Sequence, residues 1–499
     1  MNSEILYLFI IPAVAGIAIF LFGKRSPLFR EGIAVLGSGI TFLLSLHIAI
    51  STTRGEVLSL FEDELRMDAL GGLFAGLVAF IGLIAVIYSI PYMRKEVEKG
   101  VIPPERLRSY YGWIMLFISS MLLATTTNNI IMLWVIIEGT TLSSVILVAF
   151  YWNRNALEAG YKYAMLLTVG ITFALFGCIL LYSGASPHIP SGLDPLKITE
   201  IAKVSGKIPK SVVLLSLALL LAGFGTKCGI IPFHTWLPDA HAEAPTPVSA
   251  LLSGVMIKVG VYALIRTVTV FYPVYPESIK LFIVILGVLT MLVGIFMALM
   301  QDDLKRLLAY SSVSQMGYIV AGLGVGTYLG IYGGLFHLLN HTLFKALLFL
   351  CVGAISSVAG TRLIHRLGGL GKKMPMTALC FFVGAFAIGG LPLFNGFMSK
   401  LTIFLACAKA GMLWATVLAI LTSLLTLFCL LHAAYRVFMG KGMGATNPAN
   451  EEIKEVSPLM WGGMLALALL CFIIGVYPQI VFPVLNESTR AISAMTALP

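Results

Sequence analysis

The sequence predicts an all-α polytopic membrane protein of about 14 transmembrane helices, and three observations carry that reading. Hydrophobic residues fill 59% of the 499 positions and charged residues only 11%, whereas a soluble domain carries about a quarter charged residues. Apolar runs of about 20 residues, the length of a bilayer crossing, recur from one end of the chain to the other. These runs are continuous, where a transmembrane β-barrel would show short alternating segments.

Taken in order, the runs at 4–22, 29–51 and 69–92 make an N-terminal unit, residues 1–107. The first lacks the basic stretch that opens a secretory signal, so it is expected to remain as a span. Runs at 108–126, 128–151, 160–184, 211–228 and 246–270 make a five-helix unit, 108–278. Runs at 279–300, 307–325, 328–358, 375–400 and 412–437 make a second, 279–440. A last run, 457–480, lies in a C-terminal unit, 441–499.

Two stretches are punctuated as ordinary helices are not. In GFGTKCGIIPFHTWLPDAHAEAPTPVSA, Lys227 is followed by Gly229, Pro232, Pro238, Pro245 and Pro247; in IGGLPLFNGFMSK, Gly389, Gly390, Pro392 and Gly396 precede Lys400. Proline removes a helical hydrogen bond and glycine weakens the helix, so both helices should break. Broken backbone at membrane depth survives only inside protein or beside a wet cavity. A pair of breaks roughly 160 residues apart predicts two inverted five-helix repeats, each with one broken helix.

The net charge of +10 reads as topology rather than nucleic-acid binding. With the N-terminus outside, 19 lysines and arginines fall in inward loops, Arg25, Lys305 and Lys441 among them, and 10, including Arg266, fall outside. That bias puts the basic loops in the cytoplasm. The four left over, Lys227, Lys258, Lys345 and Lys400, lie inside apolar runs, where an ammonium is expensive without a partner or water. Lys345 could snorkel if it sat at a helix end; Lys258, in the middle of SALLSGVMIKVGVYALI, could not.

Glu138, in NIIMLWVIIEGTTLSS, is the matching acid. A buried carboxylate is neutral or paired, and pairing with Lys227 would account for both. His337, His341 and Lys345 stand at i, i+4 and i+8, drifting about 40° per step, so they share one helical face. A single histidine there reads as a core residue; two stacked imidazoles followed by a lysine read as a proton relay. His234, Asp239, His241 and Glu243 match no metal spacing, and the first three are candidates for proton entry or a coupling contact near the surface. Asp302 and Asp303 open a helix, where acids need no further role. Seven scattered cysteines form no redox motif, and Gly371-Lys372 lacks the rest of a phosphate-binding loop. No metal site, no cofactor in this chain and no bond-making catalytic residue is expected.

The blocks LWVIIEGTTLSS, FGTKCGIIPFHTWLPDAHAEAPTPVSALLSGVMIKVGVYALIR, DLKRLLAYSSVSQMGYI and FHLLNHTLFKALLFL closely resemble the antiporter-like family. Respiratory complex I, Mrp-type sodium/proton antiporters and membrane-bound nickel–iron hydrogenases share that family, and the likeness runs over about residues 108–437. EGTTLSS and LEAGYKYAMLLTVGITFALFG look most like the component F type of hydrogenase-4. The resemblance implies a proton relay: Glu138 with Lys227 on the first broken helix, Lys258 at the centre, His337, His341 and Lys345 next, and Lys400 at the end. Some complex I M-type subunits carry glutamate where this chain has Lys400. L-type complex I and D-type Mrp subunits carry lysine there.

The expected role is a non-catalytic, proton-translocating subunit in the cell membrane, partnered by other membrane subunits and a peripheral redox arm. An Mrp-type antiporter subunit with no redox partner is the second reading, with sodium as the alternative ion. A purely structural anchor leaves four buried lysines and two broken helices unexplained.

Overall fold

A computed structural model describes residues 3–24, 26–268, 271, 277–440 and 454–496. Arg25, Lys441, residues 269–270 of the eighth expected run and the start of the C-terminal unit (441–453) lie outside the described residues. Among those described, the chain is helical apart from one small hairpin.

The first helices are α1 (Glu4–Phe22) and α2 (Pro27–Thr53), then the hairpin β1 (Leu58–Leu60) and β2 (Leu65–Met67), in which Leu58 faces Met67. Next come α3 (Ala69–Glu98), α4 (Arg106–Thr126), α5 (Ile130–Val148), α6 (Arg154–Ala185), short α7 (Ile198–Lys203) and α8 (Lys210–Cys228). After α9 (Trp236–Glu243), one span is assembled from α10 (Thr246–Leu251), a π-helical turn (Leu252–Met256) and α11 (Ile257–Val268). The remainder is α12 (Glu277–Leu299), α13 (Leu304–Gly324), α14 (Tyr328–Ala359), α15 (Pro375–Gly389), α16 (Asn395–Lys409), α17 (Leu413–Phe438), α18 (Pro458–Val476) and α19 (Phe482–Thr496).

Among the described residues, twelve helices are long and apolar enough to cross a membrane. The two expected runs outside that set differ for physical reasons. Helix α13 carries Lys305, Arg306, Gln315 and five hydroxyl residues, Tyr310, Ser311, Ser312, Ser314 and Tyr318, which lowers its hydropathy. The run at 375–400 is divided between α15 and α16, each 15 residues long.

Helix starts are set by side chains that accept from orphan backbone N–H groups: Asp68 for α3, Asn129 for α5, Asn153 for α6, Asp303 for α13 and Thr327 for α14. Asp303 thus has a capping role, as a helix-start acid should.

Burial sorts the helices into an inner and an outer set. The most apolar stretch of Thr246–Val268 is 100% buried and that of α14 83%, against 33% for α1, α2 and α18. Outer helices turn their apolar residues to lipid, while α14 packs on α3, α10, α13, α15, α16, α18 and α19. Small residues bring neighbours close where apolar contact alone gives little drive. A Cβ on Gly317 of α13 would lie 2.5 Å from the Gly287 carbonyl of α12, and one on Gly223 of α8 2.4 Å from the Ala174 backbone of α6.

Candidate functional site

Two helices end inside the bundle by the same device. At the end of α8, Gly229 adopts φ +70; its N–H donates to Thr226 O and the Ile230 N–H to Gly225 O. At the end of α15, Gly390 adopts φ +78; its N–H donates to Ala387 O and the Leu391 N–H to Phe386 O. Both are Schellman closures, which need a residue free to take left-handed φ. Each leaves the negative end of a helix dipole within protein, where a cation is favoured. Lys227 belongs to the last turn of α8. Lys400, on α16, reaches back so that its Nζ donates to Ile388 O at 2.7 Å and to Ser423 Oγ at 2.9 Å. Ser423 also donates to Gly389 O, as Trp236 Nε1 does to Thr226 O at the other break.

Between the breaks runs a row of polar side chains on α13 and α14. Lys258 follows the π-helical turn and its Nζ donates to Ser253 O. Ser253 Oγ is 2.8 Å from Ser312 Oγ of α13. The neighbouring Ser311 Oγ accepts from Lys345 Nζ at 2.6 Å, and Lys345 also donates to Leu308 O. Four residues on from Ser311, Gln315 Oε1 lies 3.1 Å from His337 Nε2, while His337 Nδ1 lies 3.0 Å from Ser399 Oγ. Gln315 Oε1 can only accept, so Nε2 carries the proton and Nδ1 faces the Ser399 hydroxyl. Ser399 adjoins Lys400, whose Nζ sits 4.9 Å from the Tyr318 ring centroid; Tyr318 in turn is 5.4 Å from the His337 ring. His337, His341 and Lys345 do share a face, with the two imidazole centroids 6.3 Å apart. Both ring nitrogens of His341 are buried without a partner among the described residues. Lys345 sits in mid-helix and is 0% exposed, so snorkelling does not account for it.

Other expected residues lie apart from this row. Glu138 and Lys227 form no ion pair within 4.0 Å: Lys227 Nζ donates to Thr141 Oγ1 at 2.8 Å, whereas Glu138 Oε1 accepts from Thr168 Oγ1 at 2.8 Å. One turn of α5 separates the acid from Thr141, and that offset turns Glu138 toward α6. Glu138 is half-buried on the flank of the bundle beside the exposed Thr168. His234, Asp239 and His241 do not converge. Asp239 is ion-paired with Arg306 at 2.8 Å and Lys162 at 3.6 Å. His234 is half-buried, and His241 is wholly interior, stacked on Phe349 at 4.8 Å. Three cations assigned to loops from the sequence are also buried: Lys305 Nζ donates to Ala244 O, Arg266 is paired with Asp68, and Arg30 is 6% exposed.

Sequence reasoning missed the neutral partners: Thr141, Ser253, Ser311, Ser312, Gln315, Tyr318, Ser399 and Ser423. One signal was available, since Ser311, Gln315 and Tyr318 recur at i, i+4 and i+7 in SSVSQMGY. Among the described residues no three His, Cys, Asp or Glu side chains cluster as metal ligands, and all seven cysteines are free and buried.

Residues 127–426 match the family model described as NADH:quinone oxidoreductase/Mrp antiporter, TM. The hydrogenase-4 component F homolog of Methylacidiphilum infernorum (isolate V4) is 35% identical over 420 residues, covering 83% of this chain and 86% of that one. NADH-quinone oxidoreductase subunit N of Desulforudis audaxviator (strain MP104C) is 34% identical over 431 residues, covering 84% and 83%. A chain of the membrane-bound sulfane sulfur reductase, an archaeal respiratory membrane complex, superposes with a TM-score of 0.88 at 25% identity over 100% of this chain and 99% of that one. With its apolar spans, two broken helices and buried lysines, this chain is an antiporter-like multi-pass membrane protein and belongs to the NADH:quinone oxidoreductase/Mrp antiporter family.

Proposed function

We propose that this chain moves protons through the bundle along Lys258, Lys345, His341, His337 and Lys400, with Glu138 on the flank and Lys227, buried at the end of α8, as the control. The observation that carries the reading is the polar row itself. Three ammoniums and two imidazoles stand in helices otherwise packed with apolar side chains; serines and Gln315, which can both donate and accept, hold Lys345, His337 and Lys400, while His341 has no partner among the described residues. Water at the unpartnered nitrogens of His341 would complete the relay, as buried polar atoms commonly require. The two matched breaks support the division into units 108–278 and 279–440 as inverted repeats, flanked by 1–107 and 441–499.

The parent assembly is read as a redox-driven respiratory or hydrogenase complex, with other membrane subunits and a peripheral redox arm as partners. The relatives named as hydrogenase-4 and NADH-quinone oxidoreductase components favour it. The Mrp reading rests on the same family description, with sodium as the alternative ion. His234, Asp239 and His241 stay as candidates for entry or coupling, His241 being the one that reaches the interior.

The test is to reconstitute the native complex in liposomes and follow internal pH with a trapped dye. Lys258→Ala is expected to abolish proton uptake with every subunit still assembled; wild-type uptake in that variant overturns the proposal. Co-purification of nickel–iron or quinone-reducing subunits supports the redox reading. Recovery of small membrane subunits alone, without bound nickel or iron, moves the chain to the Mrp type.

A further inference from the structure

A cleft of about 480 Å³ lies between the adjoining ends of α1, α2, α3 and α4, away from the polar row. Four cations from four stretches line it: Lys24 in the turn after α1, Arg30 in the first turn of α2, Arg94 near the end of α3 and Arg108 at the start of α4. Glu31 is taken up by Arg94 in an ion pair, and Glu98 and Glu105 are exposed at the rim.

Arg30 is the unusual member. It is only 6% exposed, and its Nε–H has no acceptor among the described residues. Its approach to Glu31, 3.7 Å, is longer than a hydrogen bond, and its guanidinium lies 5.8 Å from the Tyr111 ring centroid. A buried guanidinium donor left unpaired is costly, so the arrangement calls for an anion from outside the chain. Arg108 spends one nitrogen on Phe20 O at 3.2 Å.

What surrounds the cleft points to the source of that anion. Leu21 and Leu28, 66% and 80% exposed, lie one or two residues from the lining residues Gly23 and Pro27, on α1 and α2, two of the helices with the most outward-facing surface. The cleft therefore pairs a basic pocket at the level where the spans end with open apolar surface beside it. Basic pockets between transmembrane helices on the cytoplasmic side are sites for anionic headgroups. We propose that this cleft binds an anionic phospholipid. Arg30 and Arg108 donate to its phosphate, Lys24 adds charge at the mouth, and the acyl chains lie along Leu21 and Leu28.

The test uses the full chain with its native partners, purified in mild detergent and exchanged into phosphatidylcholine. Phosphatidylglycerol is then titrated in and bound lipid read by native mass spectrometry, with inorganic phosphate as a competitor. Wild type should retain phosphatidylglycerol over phosphatidylcholine, and each of Arg30→Gln, Arg108→Gln and Lys24→Gln should weaken that retention about fivefold. Arg54→Gln, on the opposite side, should not change it. Because Arg30 is buried and its replacement could unfold the chain, Arg108→Gln and the exposed Lys24→Gln decide the matter. Unchanged retention in both overturns the proposal. Displacement of the lipid by millimolar phosphate also overturns it, since the cleft would then be a free-anion site.

Discussion

At the scale of single residues, the interior is built on charged groups held by neutral partners. Lys227, Lys258, Lys345 and Lys400 all donate to hydroxyls or carbonyls, and none has a carboxylate within 4.0 Å among the described residues. Neutral partners hold an ammonium less tightly than a buried ion pair would, which suits the proton release proposed for these groups. Gln315 carries the sharpest expectation. Gln315→Leu removes the acceptor at His337 Nε2 and should slow proton uptake by about tenfold, the worth of one hydrogen bond. Assembly should be intact, as a dye-quench rate set against subunit recovery would check. The lysines were legible in the sequence because a charge inside an apolar run stands out. Their partners were not, because hydroxyls are common in spans for a local reason: Ser38, Thr41 and Thr52 each donate to a carbonyl four residues back in α2. Nothing in composition separates those from Ser311.

At the scale of elements, the two breaks are the features that proline and glycine announced, and they position Lys227 and Lys400. The second is the tighter: a Cβ on Gly396 would fall 1.8 Å from the Ala387 carbonyl, which no side-chain adjustment relieves. Gly396→Ala should therefore push α16 away from α15, lower the thermal midpoint in detergent by an amount equivalent to about 1–3 kcal/mol, and displace Lys400 from Ile388. Leu393, at φ +75 beside this break, holds a conformation that L-residues rarely take. By contrast, the π-helical turn before Lys258 had no signal, since LSGVM is ordinary helix sequence and only tertiary packing chooses the wider hydrogen bonding. The β1–β2 hairpin was hidden for a similar reason. Its three-residue strands are too short to show alternation, and its turn residues Phe61, Glu62 and Asp63 take positive φ without a glycine.

At the scale of the whole molecule, hydropathy located nearly every long helix, while the inner and outer sets emerged only from packing. Sidedness follows from the basic loops and can be tested directly. The seven native cysteines are buried, so single exposed cysteines can report alone. Glu56→Cys should react with a membrane-impermeant maleimide added outside intact cells, and Glu98→Cys only after permeabilisation; the reverse pattern would invert the topology. One further consequence belongs to α14, which runs unbroken for 32 residues between a Thr327 cap and Gly360, with the continuous α13 before it in sequence and the broken α15–α16 after it. Moving as a rod of about 48 Å, it would swing each tip by about 2 Å for a tilt of about 5° about its middle. His341 and Lys345, within about a turn of its centre, would barely shift and His337 would move by about 1 Å, while whatever grips either tip would feel the full stroke. The helix that carries the row would thereby also serve as a lever, its fulcrum at the row proposed to pass protons.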